Sequence, residues 1–224
     1  LPDEVLKKLC EEKRGLILVA GNTGAGKTTT LNAMVDHLNQ TREYKMVTVE
    51  DPVEYLHKDA KSQIIQREVG EDTKSFDAAL KHVLRQDPDV VVIGEMRNAE
   101  AMRAGVTAAE TGHLVLATVH TVDATRTVDR IVDSYPETQR IQIRSQLSSL
   151  IKAVIAQRLV VTSDGGGRIP ALEIMIGTST VAQCIAEGRT HDLLKAIEQG
   201  GFYGMHSFDQ ALVKLQAEGK ITME

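Results

Sequence analysis

The stretch GLILVAGNTGAGKTTTLNAMVDHLN, residues 15–39, carries three local signals in order. An unbroken apolar run bounded by glycines, residues 15–21, reads as a strand buried on both faces. GNTGAGKT, residues 21–28, has the spacing GxxxxGK[ST]. From Lys27 to Asn39, Leu31, Met34, Val35 and Leu38 share one face of a helix. A glycine loop between a buried strand and a helix start makes a phosphate cradle. Its glycines turn backbone N–H groups inward, and the helix adds open amides and the positive end of its dipole. This assigns Gly21, Asn22, Thr23, Gly24, Ala25, Gly26, Lys27, Thr28 and Thr29 to nucleotide binding. Lys27 would reach the β- and γ-phosphates of ATP, and the Thr28 hydroxyl would ligate Mg²⁺.

Working outward, similar buried strands are expected at residues 46–49, 90–93 and 113–119. They alternate with helices over residues 75–86, 98–112 and 123–134, the second capped by Asn98. That β-α-β-α-β-α-β order implies parallel strands joined by right-handed crossovers, an α/β fold with a mostly parallel sheet. An amphipathic helix over residues 3–13 precedes it, and residues 64–69 offer a short extra strand. Beyond it, a helix is expected over residues 137–156. An antiparallel hairpin, 158–162 with 168–176, then turns at Asp164-Gly165-Gly166-Gly167. After Gly177 only helical patterns remain, in three short pieces. The expected division is a P-loop α/β core over residues 1–176 and a small helical subdomain over residues 177–224.

A nucleotide site needs carboxylates at strand ends, where loops face the phosphates. Glu95 lies just past VVVIG, in position to hold the metal or its water. Glu50, Asp51 and Glu54 follow MVTV, with Pro52 stiffening the turn; a carboxylate here could orient and deprotonate the attacking water. One acid alone at a loop end is usually a cap, but two acidic strand ends beside a phosphate loop read as a site. His113 and His120 flank the strand at 113–119; His120, at its C-terminal end, could donate to a phosphate oxygen and report the γ-phosphate. Arg67, Arg85, Arg97 and Arg103 are candidates for stabilising phosphate charge in a neighbouring subunit. Sequence does not sort them from surface ion pairs.

Composition sets the outer limits. The 224 residues are 42% hydrophobic and 25% charged, ordinary for a globular domain, with a net charge of −5. Three Phe, four Tyr and no Trp leave an aliphatic core. The two cysteines, Cys10 and Cys184, form no CxxC pair, so neither a disulfide framework nor a four-ligand zinc site is expected, and a reducing setting is the default. No apolar run approaches the roughly 20 residues of a membrane span, and no basic-plus-apolar leader opens the chain. The pI of about 5.8, with no basic tract or aromatic stacking pair, speaks against a nucleic-acid motor.

Taken together, GLILVAGNTGAGKTTTLNAMVDHLN, VTVEDPVEY, QREVGEDTKSF, LRQDPDVVVIGEMR and AAETGHLVLATVHT resemble the type II/IV secretion ATPase superfamily in order and spacing. Within it the chain looks most like the PilT-type pilus-retraction (twitching motility) ATPases, from LPDEVLKKL to GMHSFDQALVKL. The resemblance implies a RecA-like core in which residues 21–28 are the Walker A loop. Glu50, Asp51 and Glu54 would form the Asp box, with Glu54 as water-activating base. Glu95 would be an atypical Walker B acid, and His113 and His120 the His box. It also implies a hexameric ring converting ATP hydrolysis into domain rotation against an inner-membrane pilus platform protein. The location would be cytoplasmic and peripheral to the membrane, with no nucleic-acid partner. A PAS-like domain that contributes arginines across the subunit boundary would precede the linker in which residue 1 falls.

Two features bear on the branch. Secretion and extension members usually insert a four-cysteine zinc loop after QRL, whereas Gln157-Arg158-Leu159 leads here straight into the hairpin without a cysteine. Retraction members carry an AIRNLIRE-type segment; the equivalent residues 181–187, VAQCIAE, match it only loosely. The alternatives are an extension or type II secretion ATPase, an accessory retraction paralogue, and a nucleotide-binding structural subunit with little turnover.

Overall fold

The computed structural model describes residues 2–222. In chain order the elements are α1 (Asp3–Leu9), β1 (Gly15–Ala20), α2 (Lys27–Thr41), β2 (Lys45–Glu50), β3 (Gln63–Glu68), α3 (Phe76–Val83), β4 (Val90–Ile93), α4 (Ala99–Glu110), β5 (Leu114–Val119) and α5 (Ala124–Asp133). They continue with α6 (Arg140–Leu150), β6 (Ile151–Val161), β7 (Arg168–Ile176), α7 (Ser179–Ala186), α8 (Leu193–Gln199) and α9 (Phe208–Ala217). Among the described residues the strands form one sheet in the order β3-β2-β4-β5-β1-β6-β7. Every neighbouring pair is parallel except β6 and β7. The expected mostly parallel α/β fold is present.

Why the central strands read as unbroken apolar runs is visible in their packing. Leu16, Leu18 and Ala20 of β1 face one side with Val91, Ile93, Val115 and Ala117, against α3 to α6. Ile17 and Val19 face the other, with Val90, Val92, Leu114 and Leu116, against α1 and α2. Each side is covered by helices, so alternation along the strand finds no polar face. Helix starts follow their side chains: Ser75, Asn98 and Asp123 accept from the backbone N–H groups of Ala78, Ala101 and Arg126.

One expected element is different. The helix expected over residues 137–156 is a 3-10 turn (Glu137–Gln139) followed by α6, which stops at Leu150. Ile151 begins β6, seven residues ahead of the expected hairpin strand at Arg158. Leu147, Leu150, Ile151, Val154 and Ile155 keep a helical spacing, which is why the periodicity reads as one continuous helix. Tertiary pairing overrides that signal: β6 lies parallel to β1, with Leu18 opposite Val154 and Ala20 opposite Ala156, and its first residues are buried. The hairpin of β6 with β7 is present, in a longer form, with Ile155 opposite Ile174.

The C-terminal helices pack on this sheet. Val181, Cys184, Ile185, Leu193, Ile197, Met205 and Phe208 belong to the same apolar cluster as Leu16 and Val154. His206 exchanges backbone hydrogen bonds with Ile174 of β7. Burial, with Lys214 nearby, holds the His206 ring below the ordinary histidine range, against a backbone hydrogen bond at Gly204 that raises it. A depressed folded value means that its stabilising share is complete above about pH 6.5, the unfolded value, and is lost as pH falls through the folded one. Thermal melts from pH 8 to pH 5 are therefore expected to show a falling Tm. His206→Gln should flatten the acid side of that curve; an unchanged slope would refute the assignment.

Candidate functional site

Because β1, β2, β4 and β5 run parallel, their C-terminal ends and the loops that leave them meet at one edge of the sheet. There a cleft of about 470 Å³ is lined by residues from all four exits. β1 supplies Thr23, Gly24, Lys27 and Thr28; β2 supplies Glu50, Asp51, Pro52 and Glu54. β4 contributes Gly94, Glu95 and Arg97, and β5 contributes Thr118 and His120. Crevices of this kind, at the carboxyl ends of parallel strands, are where open α/β sheets bind ligands.

The glycine loop has the backbone its sequence requires. Gly24 and Gly26 sit at φ of +76° and +86°, in the left-handed region that a side chain disfavours, and Gly26 directly precedes α2. A Cβ on Gly26 would also lie 2.7 Å from Gln157 Nε2. Lys27 is only 7% exposed, and its Nζ donates to the Asn22 carbonyl oxygen at 3.1 Å. Burial lowers its affinity for the proton, while Glu95 and Glu54 across the cleft oppose that shift. A nearly buried ammonium folded back on the loop's own backbone is a group poised for an incoming anion.

On the opposite wall, Glu95 uses both oxygens: Oε1 lies 2.8 Å from His120 Nε2, and Oε2 accepts from Arg97 Nε at 2.6 Å. Arg97 also approaches Asp51 at 3.6 Å. Glu54 stands exposed at the rim, and no salt bridge among the described residues engages it. Glu50 is buried and differently employed. Its Oε1 accepts from Thr48 Oγ1 at 2.6 Å and from Gln66 Nε2 at 3.1 Å, and Gln66 also donates to the Tyr55 carbonyl oxygen. Glu50 thereby fixes the loop that presents Glu54.

Not every candidate comes to the cleft. His113 sits at the far end of β5, with Nδ1 3.0 Å from the Ala108 carbonyl oxygen. At about 3.3 Å per residue, that six-residue strand holds it about 20 Å from the His120 end. Of the four arginines, Arg97 alone lines the cleft. Arg103 donates to the Ser134 carbonyl oxygen and lies over the Tyr135 ring, while Arg67 and Arg85 are exposed. Sequence reasoning missed Gln157 as part of the site. It is buried behind the glycine loop and hydrogen-bonded to Ala25 and Thr30.

The residues present suit a magnesium nucleotide. The Thr28 hydroxyl and the Glu95 carboxylate share one cleft as hard oxygen donors, beside a buried lysine and glycine-loop amides for the phosphates. Strand, glycine loop and helix at the carboxyl edge of a parallel sheet are the arrangement in which P-loops hold phosphates. The family model described as type II/IV secretion system protein matches residues 2–200, and the chain belongs to that family.

Two relatives from Pseudomonas aeruginosa illustrate the range. The type IV pilus retraction ATPase PilT is 46% identical over 221 residues, covering 99% of this chain and 64% of its own length. The type IV pilus ATPase PilU is 44% identical over 221 residues, covering 99% of this chain and 58% of its own. A crystal structure of the pilus retraction motor PilT with bound ADP superposes with a TM-score of 0.92 at 46% identity, over 100% of this chain and 63% of that one. The chain thus spans about three fifths of the length of these relatives. No helix among the described residues is long and apolar enough to cross a membrane.

Proposed function

We propose that this chain is the ATP-hydrolysing part of a motor that drives type IV pilus retraction, working as a homohexamer against an inner-membrane platform protein. The observation that carries the chemistry is the meeting of Lys27, Thr28, Glu54, Glu95 and His120 around one cleft. Lys27 and the amides of residues 24–28 would hold the β- and γ-phosphates, neutralising charge that grows during transfer. Glu54, exposed and unpaired with a cation among the described residues, would accept the proton of the attacking water. His120, held by Glu95, would donate to a γ-phosphate oxygen and so register whether that phosphate is present. Arg97 anchors the other Glu95 oxygen and keeps the pair oriented. Magnesium, held by Thr28 and by Glu95 directly or through water, would supply charge neutralisation across the phosphates.

Retraction rather than secretion is supported by the 46% identity to PilT over 99% of this chain and by the hairpin. There the Thr162 N–H donates to the Gly167 carbonyl oxygen, closing the β6–β7 turn where a zinc loop would be inserted. The match to PilU favours a second reading, an accessory retraction ATPase. Placed in the corresponding position of full-length PilT, this chain is expected to restore twitching to a strain that lacks its retraction motor. Rescue only when the resident motor is still present would assign the accessory role. Restored piliation in an extension-deficient strain would overturn retraction.

A further inference from the structure

The Gln157-Arg158-Leu159 segment serves the sequence reading only as a marker of the motor branch, and its glutamine is one of the few polar side chains buried in the sheet. Gln157 lies one residue past the last parallel pairing of β6 with β1, which sets Ala156 opposite Ala20. It is therefore directly behind the glycine loop. Its Nε2 donates to the Ala25 carbonyl oxygen at 2.6 Å, and its Oε1 accepts from Thr30 Oγ1 at 2.8 Å. The Gln157 side chain is thus spanned between the last turn of the loop and the first turn of α2. The fit is close: a Cβ on Gly21 would come within 2.6 Å of the Gln157 backbone oxygen, and one on Gly26 within 2.7 Å of its Nε2.

The chemistry fixes the orientation of the amide. A carbonyl oxygen only accepts, so the NH₂ end must face Ala25, which leaves the oxygen for the Thr30 hydroxyl. The peptide bond then carries the consequence into the cleft. In a planar trans peptide the C=O and the following N–H point in opposite directions. Holding the Ala25 oxygen against Gln157 of β6 turns the Gly26 N–H away from β6. Gly26, at φ of +86°, has no side chain to hold this conformation by itself.

We infer that Gln157 is a positioning residue that clamps the Ala25–Gly26 peptide, so that the Gly26 amide is already aimed at the nucleotide's phosphates before binding. This rests on the nucleotide reading of the cleft and deepens it. Gln157 touches no reacting atom in this scheme; it removes the reorganisation that an unclamped loop would undergo on binding. The amide it aims would serve a phosphate common to ADP and ATP. The loss on removing it should fall equally on ground and transition states.

The test uses the full 224-residue chain and ADP. Gln157→Met keeps the side-chain volume and deletes both hydrogen bonds. It is expected to raise the Kd for ADP about tenfold, equivalent to about 1.4 kcal/mol. In ATP turnover the same loss should appear in KM, with kcat within about twofold of the parent chain. Thr30→Val, which removes only the orienting hydroxyl, should raise the Kd about threefold. The double variant should be no weaker than Gln157→Met alone, since both act through one network. A merely structural glutamine predicts a lower Tm with unchanged ADP affinity, or additive effects of the two substitutions; either result overturns the clamp. Should Gln157→Met fail to fold, Thr30→Val decides: unaltered ADP affinity overturns the clamp, and a threefold loss supports it. A parent chain that binds no ADP overturns the nucleotide reading and the clamp together, whereas binding that survives Gln157→Met unchanged overturns the clamp alone.

Discussion

Lys27→Ala is expected to weaken ADP and ATP binding by at least about 100-fold while leaving the fold intact. The lysine is nearly buried, yet it contributes little to the apolar core; its ammonium turns back to the Asn22 carbonyl oxygen at 3.1 Å. Truncation removes a buried charge rather than orphaning a charged partner, because the acids across the cleft have other company or water. Glu95 keeps His120 and Arg97, and Glu54 is exposed. On binding, the ammonium exchanges one neutral acceptor for anionic phosphate oxygens. Hydrogen bonds to charged groups are worth about 1.5–3 kcal/mol each, so losing two costs about 3–6 kcal/mol, or at least about two decades of affinity. Calorimetric titration with ADP reads the loss, and circular dichroism checks the fold. A variant that binds ADP within threefold of the parent chain would show that the glycine loop is not the phosphate site.

The parts of this site that sequence reveals are those whose geometry is local. Residues 15–39 hold strand, loop and helix in consecutive positions, so Lys27 and Thr28 can be placed without knowing what lies around them. The acids follow from a rule of sheets, since residues just past buried parallel strands must gather at one edge. That rule brings Glu54, Glu95 and His120 to the cleft and, applied to the other end of the same strand, sends His113 away from it. Arginines cannot be sorted this way. Arg97 and Arg103 are six residues apart in sequence, and only the turn between β4 and α4 makes one a partner of Glu95 and the other a partner of Tyr135.

Long-range pairing is what stayed hidden. The helical spacing that runs from Leu147 through Ile155 is a true periodicity, but Ile151 onward pairs with β1, and nothing within the window announces a partner strand so distant in sequence. Misreading β6 also hides Gln157. In the connection between an expected helix ending at residue 156 and a strand beginning at Arg158 it would be one more polar loop residue; in a strand beside β1 it is buried against a loop 132 residues earlier. The buried polar residue becomes informative only once its partners are known, because a polar group in that position must be hydrogen-bonded to something.

Glu54→Gln is expected to lower kcat for ATP hydrolysis by about 10²–10⁴-fold while ADP affinity stays within about threefold of the parent chain. The expectation follows from how the acids at the cleft are occupied. Glu50 is committed to Thr48 and Gln66, and Glu95 has both oxygens engaged by His120 and Arg97. A base has to offer a free lone pair to water, and Glu54 is the cleft glutamate whose carboxylate is exposed. Glutamine preserves its size and leaves the Glu50–Gln66 bonds that support its loop, so substrate should still bind; what is lost is the capacity to take a proton. Glu95→Gln should behave differently, because the amide loses the charge that pairs with Arg97 and has one accepting oxygen where the carboxylate has two, so His120 Nε2 could meet it only as an acceptor, in the other tautomer. It would disturb the position of His120 and weaken binding together with turnover. Steady-state kinetics with parallel ADP titrations separate the two. A Glu54→Gln variant that turns over ATP at the parent rate would move the base elsewhere in the cleft. Loss of ADP binding in that variant would instead make Glu54 a binding residue.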